Sequence, residues 1–583
     1  MKKKTSKLFK FDKYLLILRV ISVLFLASVV RYSLRTYQFP QWDEQHYMQM
    51  AAGYFRLFQN LSFSTPYEML QLVPVRQPGY PLLILPFLLI FGLSNAYFWG
   101  LFTNGLLYIA TTFGVYFIAR NYLSALSSFM AAIIFAFYGW TLLHVHYTYT
   151  ETATSALCVW TIYFLIKSNF FQNRKFSILF GVFFGLSLLT RWVALVFIAG
   201  PALYVFYEFI KRGLFQKRAF VLNGAIAVLS TFLVAAYPYI VNNFWYTTYF
   251  AGHRVGGAMW QLLPEHEKAQ FSLFTLTFYL NTFNQLGTYF FVLIIAGIIL
   301  SLREAKRREA RHQMVLGSNL NLILAAVFVP WIFFSFFSIL KADRFIIPIF
   351  PYLAIISASV FDYIKNTRIK FALVCLTIIL SIGTFLGTDW GKGPMRQSLQ
   401  SISLPFSIGE IKKIYLSSIS RPPYIYKISG KEIVDYLARD SRENRIENPQ
   451  VLSLFYYRPL DEPMMTHNLY HQERPLNIIN FLGTVVTDPK DTGHLNTALA
   501  SDYVLIKTGQ KVDKSFSEVN VKLLKALIKL FENDVDLEKY YEQKVKFWIY
   551  QDSSEVMVYK KKAQTPPEEI ERLKLMLSEY LTQ

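Results

Sequence analysis

The sequence predicts a polytopic α-helical membrane protein with a smaller α/β domain at its C-terminal end. Of the 583 residues, 54% are hydrophobic and 17% are aromatic, and the mean hydropathy is +0.30. Apolar runs close to the roughly 20 residues that cross a bilayer recur as far as residue 388. Beyond that residue the chain is polar, and helix-like and strand-like stretches alternate. The first observation predicts a membrane domain, and the second predicts a small α/β domain.

The excess positive charge belongs to the membrane part. Residues 1–388 hold 32 Lys and Arg against 12 Asp and Glu, whereas residues 389–583 hold 27 against 26. Because the bases lie in short loops between apolar runs, they indicate membrane orientation. A basic chain can also bind nucleic acid, but this distribution predicts no such partner. Cys158 and Cys375 both lie in apolar runs, so neither a disulfide framework nor a cysteine metal site is expected.

About eleven spans are predicted, beginning with residues 14–33. Six lysines precede that run and place the N-terminus in the cytoplasm. Residues 80–93 form a short apolar run that contains Pro81 and Pro86, so they are predicted to be a re-entrant or interfacial helix. With that exception the spans alternate and leave each dense basic run inside. Because eleven is odd, the C-terminal domain is predicted to be extracytoplasmic, on a multi-pass protein of the cell (plasma) membrane.

Two domains follow from these patterns, residues 1–388 in the membrane and residues 389–583 outside it. Residues 388–423 are rich in Ser, Gly and Pro and are predicted to be a linker. In the tail, helices are predicted at residues 431–439, 519–531 and 567–581. Strands are predicted at residues 451–457, 503–507, 545–550 and 555–559. No metal-ligand spacing or nucleophile motif is found in the tail.

A group of charged and polar residues falls on the outer face, mostly at span ends or in short turns. Charged groups at membrane depth are costly and usually face a protein interior or a cavity. Each has a purely structural alternative: Asp43 can cap a helix, Glu151 can favour a helix N-terminus, and Arg191 can extend to the interface. A cavity lined by both carboxylates and cations suits a substrate with a phosphate and a reacting hydroxyl. The group comprises Asp43, Glu44, Arg76, Glu151, Arg191, His253, Arg254, Lys341, Asp343 and Arg344.

Five short motifs, in order along residues 1–388, resemble the GT-C superfamily of glycosyltransferases that use polyprenyl-phosphate sugars. Within it, the chain is most similar to the protein O-mannosyltransferases and the lipid A aminoarabinose transferases. Two positions depart from the family pattern, Gln77 for Pro and Phe345 for Tyr, and the second loses a hydroxyl group. The motifs are Asp43-Glu44 with Tyr47, Arg76-Gln77-Pro78-Gly79-Tyr80-Pro81, Thr150-Glu151-Thr152, Gly185-Leu186-Ser187-Leu188-Leu189-Thr190-Arg191 and Arg344-Phe345-Ile346-Ile347-Pro348.

The resemblance implies transfer of a sugar, with inversion, from a polyprenyl-phosphate donor to an acceptor on the outer face. It implies that Asp43 is the base or orients the acceptor, and that Glu44 assists it. Arg344, Arg191 and Arg76 would bind the donor phosphate.

Two further residues have more open roles under the same resemblance. Glu151 would either order the first loop or help to bind a divalent metal ion, which some relatives carry. His253 is a second metal candidate. No cofactor is required by the sequence. The expected partners are the lipid-linked donor, the bilayer, and a glycan, lipid or protein acceptor.

Two other classes of protein were weighed against this interpretation. A secondary transporter has a similar number of spans, but it usually shows an internal repeat and charges near the midplane. The sequence has no detectable repeat, and its charges cluster at one face. A scaffolding membrane protein would leave the outer-face carboxylates and arginines unexplained. The glycosyltransferase is therefore preferred, with the transporter as the alternative.

Overall fold

The structure is a computed structural model with two compact units. One contains Met1–Arg35 and His46–Tyr424, and the other contains Thr36–Gln45 and Ile425–Gln583. The predicted boundary at residue 388 stays a prediction. The described residues are 12–35, 43–72, 76–93, 95–211, 213, 218–241, 273–310, 320–337, 342–389, 401–408, 411–415, 429–447, 449–454, 476–480, 493–507, 518–534, 536–549 and 554–582.

The first unit is built almost entirely from helices. A 3-10 helix (Asp343–Ile349) leads directly into α15. The α-helices are α1 (Lys13–Arg35), α2 (Asp43–Gln59), α3 (Thr65–Gln71), α4 (Gly79–Phe91), α5 (Ala96–Ala119), α6 (Ala125–Ala136), α7 (Gly139–Val145), α8 (Thr150–Lys167), α9 (Arg174–Thr190), α10 (Ala194–Lys211), α11 (Arg218–Val241), α12 (Leu273–Asn284), α13 (Thr288–Ala310), α14 (Asn321–Phe336), α15 (Phe350–Tyr363) and α16 (Thr367–Asp389).

Among the described residues, six helices are long and apolar enough to cross a membrane. They are α1, α5, α10, α11, the 3-10 helix with α15, and α16. The number rises to eight if the bent pairs α6–α7 and α12–α13 each count as one span. These helices agree with a multi-pass membrane protein. The short apolar helix α4 occupies the run predicted to be re-entrant, and the count of eleven spans stays a prediction.

The centre of the helical unit is α15. Every residue from Phe350 to Phe361 is buried, so this helix is surrounded by protein on all sides. Its neighbours in the core include α6, α13 and α5. A helix that is apolar all round belongs in such a central position.

Residues 124–143 form an apolar run that predicts the third span, and in the structure they contain a broken helix. The axes of α6 and α7 differ by 58°. The break frees carbonyl groups, and side chains satisfy them: the Thr141 hydroxyl donates to the carbonyl oxygens of Tyr138 and Phe135 at 2.8 and 3.1 Å. The Tyr108 hydroxyl also donates to the Phe135 carbonyl, at 3.1 Å. Side chains that re-pair freed carbonyls are what permits a bent helix at membrane depth.

Part of the predicted linker forms an antiparallel hairpin. Its strands are β1 (Ser401–Ile408) and β2 (Ile411–Tyr415). Side chains at the junction of α12 and α13 hold β2: Asn284 Nδ2 donates to the Lys413 carbonyl at 2.7 Å, and Thr288 Oγ1 donates to the Tyr415 carbonyl at 2.8 Å. The stretch therefore continues the helical unit.

The second unit is a five-stranded mixed sheet with helices on both faces. The strand order is β4-β3-β5-β7-β6, in which β4, β3 and β5 are parallel and β7 is antiparallel to both neighbours. One face packs on α17 through Ile433 and Leu437, and the other packs on α19 and α20. The elements are α17 (Ser429–Glu443), β3 (Gln450–Ser453), β4 (Asn477–Asn480), α18 (Gly493–Ala500), β5 (Tyr503–Lys507), α19 (Glu518–Asn533), β6 (Tyr541–Ile549), β7 (Ser554–Lys561) and α20 (Pro567–Thr582).

Candidate active site

Three of the predicted site residues meet at one carboxylate oxygen. Arg191 Nη1 donates to Glu151 Oε1 at 2.7 Å. Arg344 Nε lies 3.7 Å from the same oxygen. The three residues come from the first turn of α8, the turn between α9 and α10, and the 3-10 helix. The fold therefore collects residues that are far apart in the chain.

Local structure explains why each residue faces this point. Glu151 lies in the first turn of α8, where unpaired N–H groups favour an acid. Arg191 has extended backbone angles (φ −162°, ψ 127°) and ends α9. Arg344 is the second residue of the 3-10 helix, and Ala342, just before that helix, has an extended backbone. All three side chains thus stand at the ends of helices.

Aromatic rings support both guanidinium groups. The Arg191 guanidinium lies 4.9 Å from the ring centre of Phe345, and that of Arg344 lies 5.6 Å from the same ring. The Arg344 guanidinium also lies 4.7 Å from the Tyr149 ring. At these distances the ring faces attract the cations. Phe345, which replaces the tyrosine of the family pattern, therefore contributes through its ring, without a hydroxyl group.

The electrostatic balance of this group favours an anionic ligand. The Glu151 side chain is 3% exposed, whereas those of Arg191 and Arg344 are 20% and 26% exposed. A buried carboxylate is tolerated because it is paired. Among these three side chains, two guanidinium groups lie against one carboxylate, and the guanidinium groups are the more exposed. Phosphate oxygens suit the guanidinium donors.

The turn that carries Arg76 packs closely against the chain segment that leads to Arg191. The ideal Cβ position of Gly79 lies 2.6 Å from the backbone C atom of Leu189 and 2.6 Å from the backbone N atom of Thr190. No other residue type fits there without moving the stretch that leads to Arg191. The Arg76 guanidinium lies 5.7 Å from the Tyr47 ring of α2. Arg76 therefore lies on a turn that contacts the backbone beside Arg191.

A chain of hydrogen bonds joins the same turn to the segment before Glu151. The Tyr80 hydroxyl donates to Asn104 Oδ1 at 2.9 Å. Asn104 Nδ2 donates to the Tyr147 carbonyl oxygen at 2.5 Å. Asn104 is fully buried on α5, so this contact fixes the backbone three residues before Thr150. Sequence analysis missed Asn104 because one Asn in an apolar helix gives no distinct pattern.

The predicted acidic pair opens α2. Glu44 is fully buried there, and its backbone is helical, as is that of Asp43. The side chain of Asp43 lies outside the described residues, as do His253, Arg254 and Lys341. Their roles stay predictions. Asp343 Oδ1 accepts a hydrogen bond from the Thr282 hydroxyl, which ties the 3-10 helix to α12.

A row of aromatic side chains next to Arg344 was not predicted from the sequence. The rings of Tyr147 and Tyr149 are stacked with centroids 5.4 Å apart. The His144 ring lies 6.2 Å from that of Tyr147, 6.4 Å from that of Tyr149 and 5.6 Å from that of Trp140. The available signal was the density of aromatic residues just before Thr150-Glu151. Because aromatic residues are common throughout this chain, that signal is weak.

A largely apolar cavity of about 850 Å³ lies among α9, α10 and α11. Leu188 and Tyr239 line it, and the Tyr239 hydroxyl donates to the Leu188 carbonyl at 2.8 Å. Leu188 is three residues before Arg191. Small residues on α10 and α11 create the space: nothing lies within 4 Å of the ideal Cβ position of Gly224. The cavity therefore has one wall on α9, the helix that Arg191 ends.

A cluster of three carboxylate side chains in the second unit has distances suited to a metal ion. The ligand atoms of Asp534, Asp536 and Glu569 lie within 4.8 Å of one another. Arg572 Nη2 already lies 3.0 Å from Asp534 and 2.5 Å from Glu569. These two acidic partners raise the pKa of Arg572. Because a permanent cation already balances these acids, the arrangement favours a structural ion-pair network.

Comparison with known proteins gives the fold. Residues 74–237 match the family model of dolichyl-phosphate-mannose-protein mannosyltransferase. The crystal structure of ArnT from Cupriavidus metallidurans bound to undecaprenyl phosphate matches with a TM-score of 0.50 and 13% identity, over 95% of this chain and 99% of that chain. An Archaeoglobus fulgidus oligosaccharyltransferase tethered to an acceptor peptide matches with a TM-score of 0.49 and 13% identity, over 96% of this chain and 75% of that one. A search of curated protein sequences gives no match.

These comparisons show that the chain shares the fold of ArnT and that residues 74–237 resemble the mannosyltransferase family, as the motifs predict. Together with the apolar helices, they support a multi-pass membrane protein.

Proposed function

We propose that this protein transfers a sugar from a polyprenyl-phosphate donor to a hydroxyl group of an acceptor at the extracytoplasmic face, with inversion. One observation carries the proposal: Arg191 and Arg344 are held at Glu151, and Arg191 ends a helix that lines a largely apolar cavity. A polyprenyl-phosphate sugar combines an anionic group with a long apolar chain. The arginines would hold the first and the cavity would hold part of the second.

In the proposed reaction, the acceptor oxygen attacks the anomeric carbon as the bond from that carbon to the phosphate oxygen breaks. The polyprenyl phosphate leaves with the bonding electrons, and Arg344 and Arg191 stabilise its charge. Arg76 is the third candidate for this role. The acceptor proton passes to a carboxylate, for which the family resemblance favours Asp43, with Glu44 orienting it. Glu151 keeps the two arginines in place.

The membrane arrangement belongs to the same proposal. We propose eleven spans with α4 as a re-entrant or interfacial helix, a cytoplasmic N-terminus and an extracytoplasmic domain from residue 389. The acceptor would be a protein, a glycan or a lipid. The only cofactor considered is a divalent metal ion. The paired surroundings of Glu151 favour its role in ordering the site over a role as a metal ligand.

The test is sugar transfer in membranes that contain the wild type, Asp43→Asn or Asp43→Glu, supplied with radiolabelled polyprenyl-phosphate hexoses and pentoses. We expect transfer by the wild type and a loss of at least ~100-fold in Asp43→Asn, because the amide cannot take the proton. Equal protein levels and equal thermal stability in detergent are the controls.

The other outcomes separate the parts of the proposal. Transfer that survives in Asp43→Asn would move the base to another carboxylate, with Glu44 next. A folded wild type that transfers no sugar from any donor would contradict the proposed function, and solute uptake would then test the transporter alternative.

A further inference from the structure

We propose that His144 is a specificity-determining residue that accepts a hydrogen bond from a hydroxyl group of the transferred sugar. The sugar would lie against the rings of Tyr147 and Tyr149. This inference rests on the proposed function, because it assigns residues to the sugar of that donor. It goes further by naming a residue outside the five family motifs.

The hydrogen bonding of His144 defines which ring nitrogen is available. Nδ1 lies 2.8 Å from the carbonyl oxygen of Trp140, one helical turn earlier. Because a carbonyl oxygen can only accept, Nδ1 must carry a proton and donate it. In the neutral ring, Nε2 then has a lone pair and acts as an acceptor.

The Nε2 atom makes no hydrogen bond with the part of the chain that the structure describes. The residue as a whole is 5% exposed, but Nε2 itself is not one of the fully buried atoms that lack a partner, so a ligand can reach it. A sugar hydroxyl is a donor of the right size and polarity. The site therefore has a fixed acceptor for which the described protein supplies no donor.

His144 lies near Arg344, which is proposed to bind the donor phosphate. His144 lies within electrostatic range of both Glu151 and Arg344. The Tyr149 ring contacts both sides of this group. Its centroid is 4.7 Å from the Arg344 guanidinium and 6.4 Å from the centre of the His144 ring. In the proposed donor the sugar is bonded directly to the phosphate. With the phosphate at Arg344, the sugar reaches the stacked tyrosines and His144.

The chemistry of these rings suits a sugar. Tyrosine rings offer large apolar faces with little loss of side-chain entropy, and the C–H face of a sugar is apolar. Sites of this kind combine apolar walls with a few polar groups that fix orientation. His144 would be one of those polar groups, and the hydroxyl that it contacts would distinguish one sugar from another.

A purely structural role for His144 requires only the Nδ1 contact with Trp140. Two variants separate the roles. His144→Asn places an amide nitrogen near the Nδ1 position and keeps a donor to Trp140, but it provides no acceptor at the Nε2 position. His144→Gln extends its amide towards the Nε2 position and can supply an acceptor there.

The experiment measures kcat and KM of the full-length protein in detergent or nanodiscs, with a polyprenyl-phosphate sugar and its monodeoxy analogues. We expect His144→Asn to lose about 10- to 100-fold in kcat/KM for the full donor, as for a site built to bond one hydroxyl. His144→Gln should stay within about 5-fold of the wild type. The wild type should discriminate against one deoxy donor, and His144→Asn should lose that discrimination.

Each other outcome overturns the inference. Equal discrimination by the wild type and His144→Asn against every deoxy donor would exclude the contact. A full loss in His144→Gln with none in His144→Asn would show a structural role. If His144→Asn does not fold, a wild type that treats all deoxy donors alike would still contradict the inference. A wild type that transfers no sugar would instead contradict the proposed function on which it rests.

Discussion

At the scale of the residue, one buried carboxylate holds two arginines that would otherwise repel each other. Glu151 Oε1 lies 2.7 Å from Arg191 and 3.7 Å from Arg344. This makes Glu151 more than the helix-end acid that its sequence position indicates. It fixes the spacing of the two cations before a ligand arrives, and such preorganisation is what makes fixed charges effective in catalysis.

Glu151→Gln should lower the stability of the protein, because it keeps the shape of the side chain and leaves Arg191 and Arg344 facing a neutral group. Breaking a buried ion pair costs about 3–5 kcal/mol. Since the guanidinium groups are 20% and 26% exposed, solvent screens them and we expect a smaller loss of about 1–3 kcal/mol. Unfolding in detergent measures this loss.

The double variant Glu151→Gln with Arg344→Gln is the control for charge. Removing one cation relieves the repulsion between the guanidinium groups. The double variant should therefore lose less free energy of unfolding than the two single variants lose together. Additive losses would contradict a shared electrostatic interaction. An unchanged stability in Glu151→Gln alone would show that the buried ion pair contributes nothing to folding.

The sequence was informative at this scale where charge stands out in apolar surroundings. Glu151, Arg191 and Arg344 were each singled out for that reason, and the structure brings them together. Their direct ion pair was not predicted, since it depends on how three distant helix ends converge. His144 was missed because a histidine in an aromatic stretch gives no periodic signal, and its significance appears only from the Nδ1 contact.

At the scale of the element, the Arg76–Pro81 turn is important because of what it touches. Gly79 lies directly on the backbone of Leu189 and Thr190, at the end of α9. The turn and the arginine-bearing segment must therefore move together. The sequence motif predicted a tight turn before an apolar helix, and the structure adds the neighbour that requires glycine.

Gly79→Ala should be destabilising and should weaken donor binding. Its methyl group would lie 2.6 Å from two backbone atoms, and backbone shifts forced by overpacking cost about 1–3 kcal/mol. The shift would move Thr190 and Arg191, so we expect a higher KM for the donor with a smaller change in kcat. Transfer kinetics and unfolding in detergent measure the two effects.

Gly224→Ala is the matched control for stability, since nothing lies within 4 Å of that Cβ position and the residue is inside α11. Replacing a helical glycine by alanine there should be neutral, or stabilising by up to about 1 kcal/mol. Because Gly224 lines the cavity proposed to hold the donor chain, the wild type is the reference for KM. If Gly79→Ala is as stable as Gly224→Ala and keeps the wild-type KM, the close packing of the turn against α9 does not position Arg191.

Other elements show why part of the fold was predictable. The buried run at residues 503–507 coincides with β5, because a short β-branched run between polar residues is typical of a buried strand. The break between α6 and α7 was missed, since the apolar pattern continues through it and only the pairing of Thr141 and Tyr108 permits the bend. The hairpin lies in residues 388–423, which were predicted to be a linker because they are rich in Ser, Gly and Pro. Its strand β1 contains Pro405, which an edge strand tolerates.

At the scale of the whole molecule, the distribution of charge predicts which side of the membrane each loop occupies. Lys365 lies between α15 and α16, and Arg368 lies in the first turn of α16; this end of both helices is predicted to be cytoplasmic. The C-terminal unit is predicted to be outside. The apolar helices and the likeness of fold to ArnT do not depend on this orientation, so the orientation requires its own test.

Labelling of introduced cysteines in intact cells provides that test. The native Cys158 and Cys375 are first replaced by alanine. The variants are Leu575→Cys and Asn366→Cys. In the structure, Leu575 is 69% exposed, and Asn366 is exposed between α15 and α16. A maleimide that does not cross membranes should label Leu575→Cys in intact cells, because an odd number of spans carries the C-terminal unit outside. It should label Asn366→Cys only after permeabilisation, because the basic residues around that position stay in the cytoplasm.

The reverse pattern would contradict the proposed orientation. Labelling of both sites in intact cells would contradict the odd number of spans, since α16 would then not separate them.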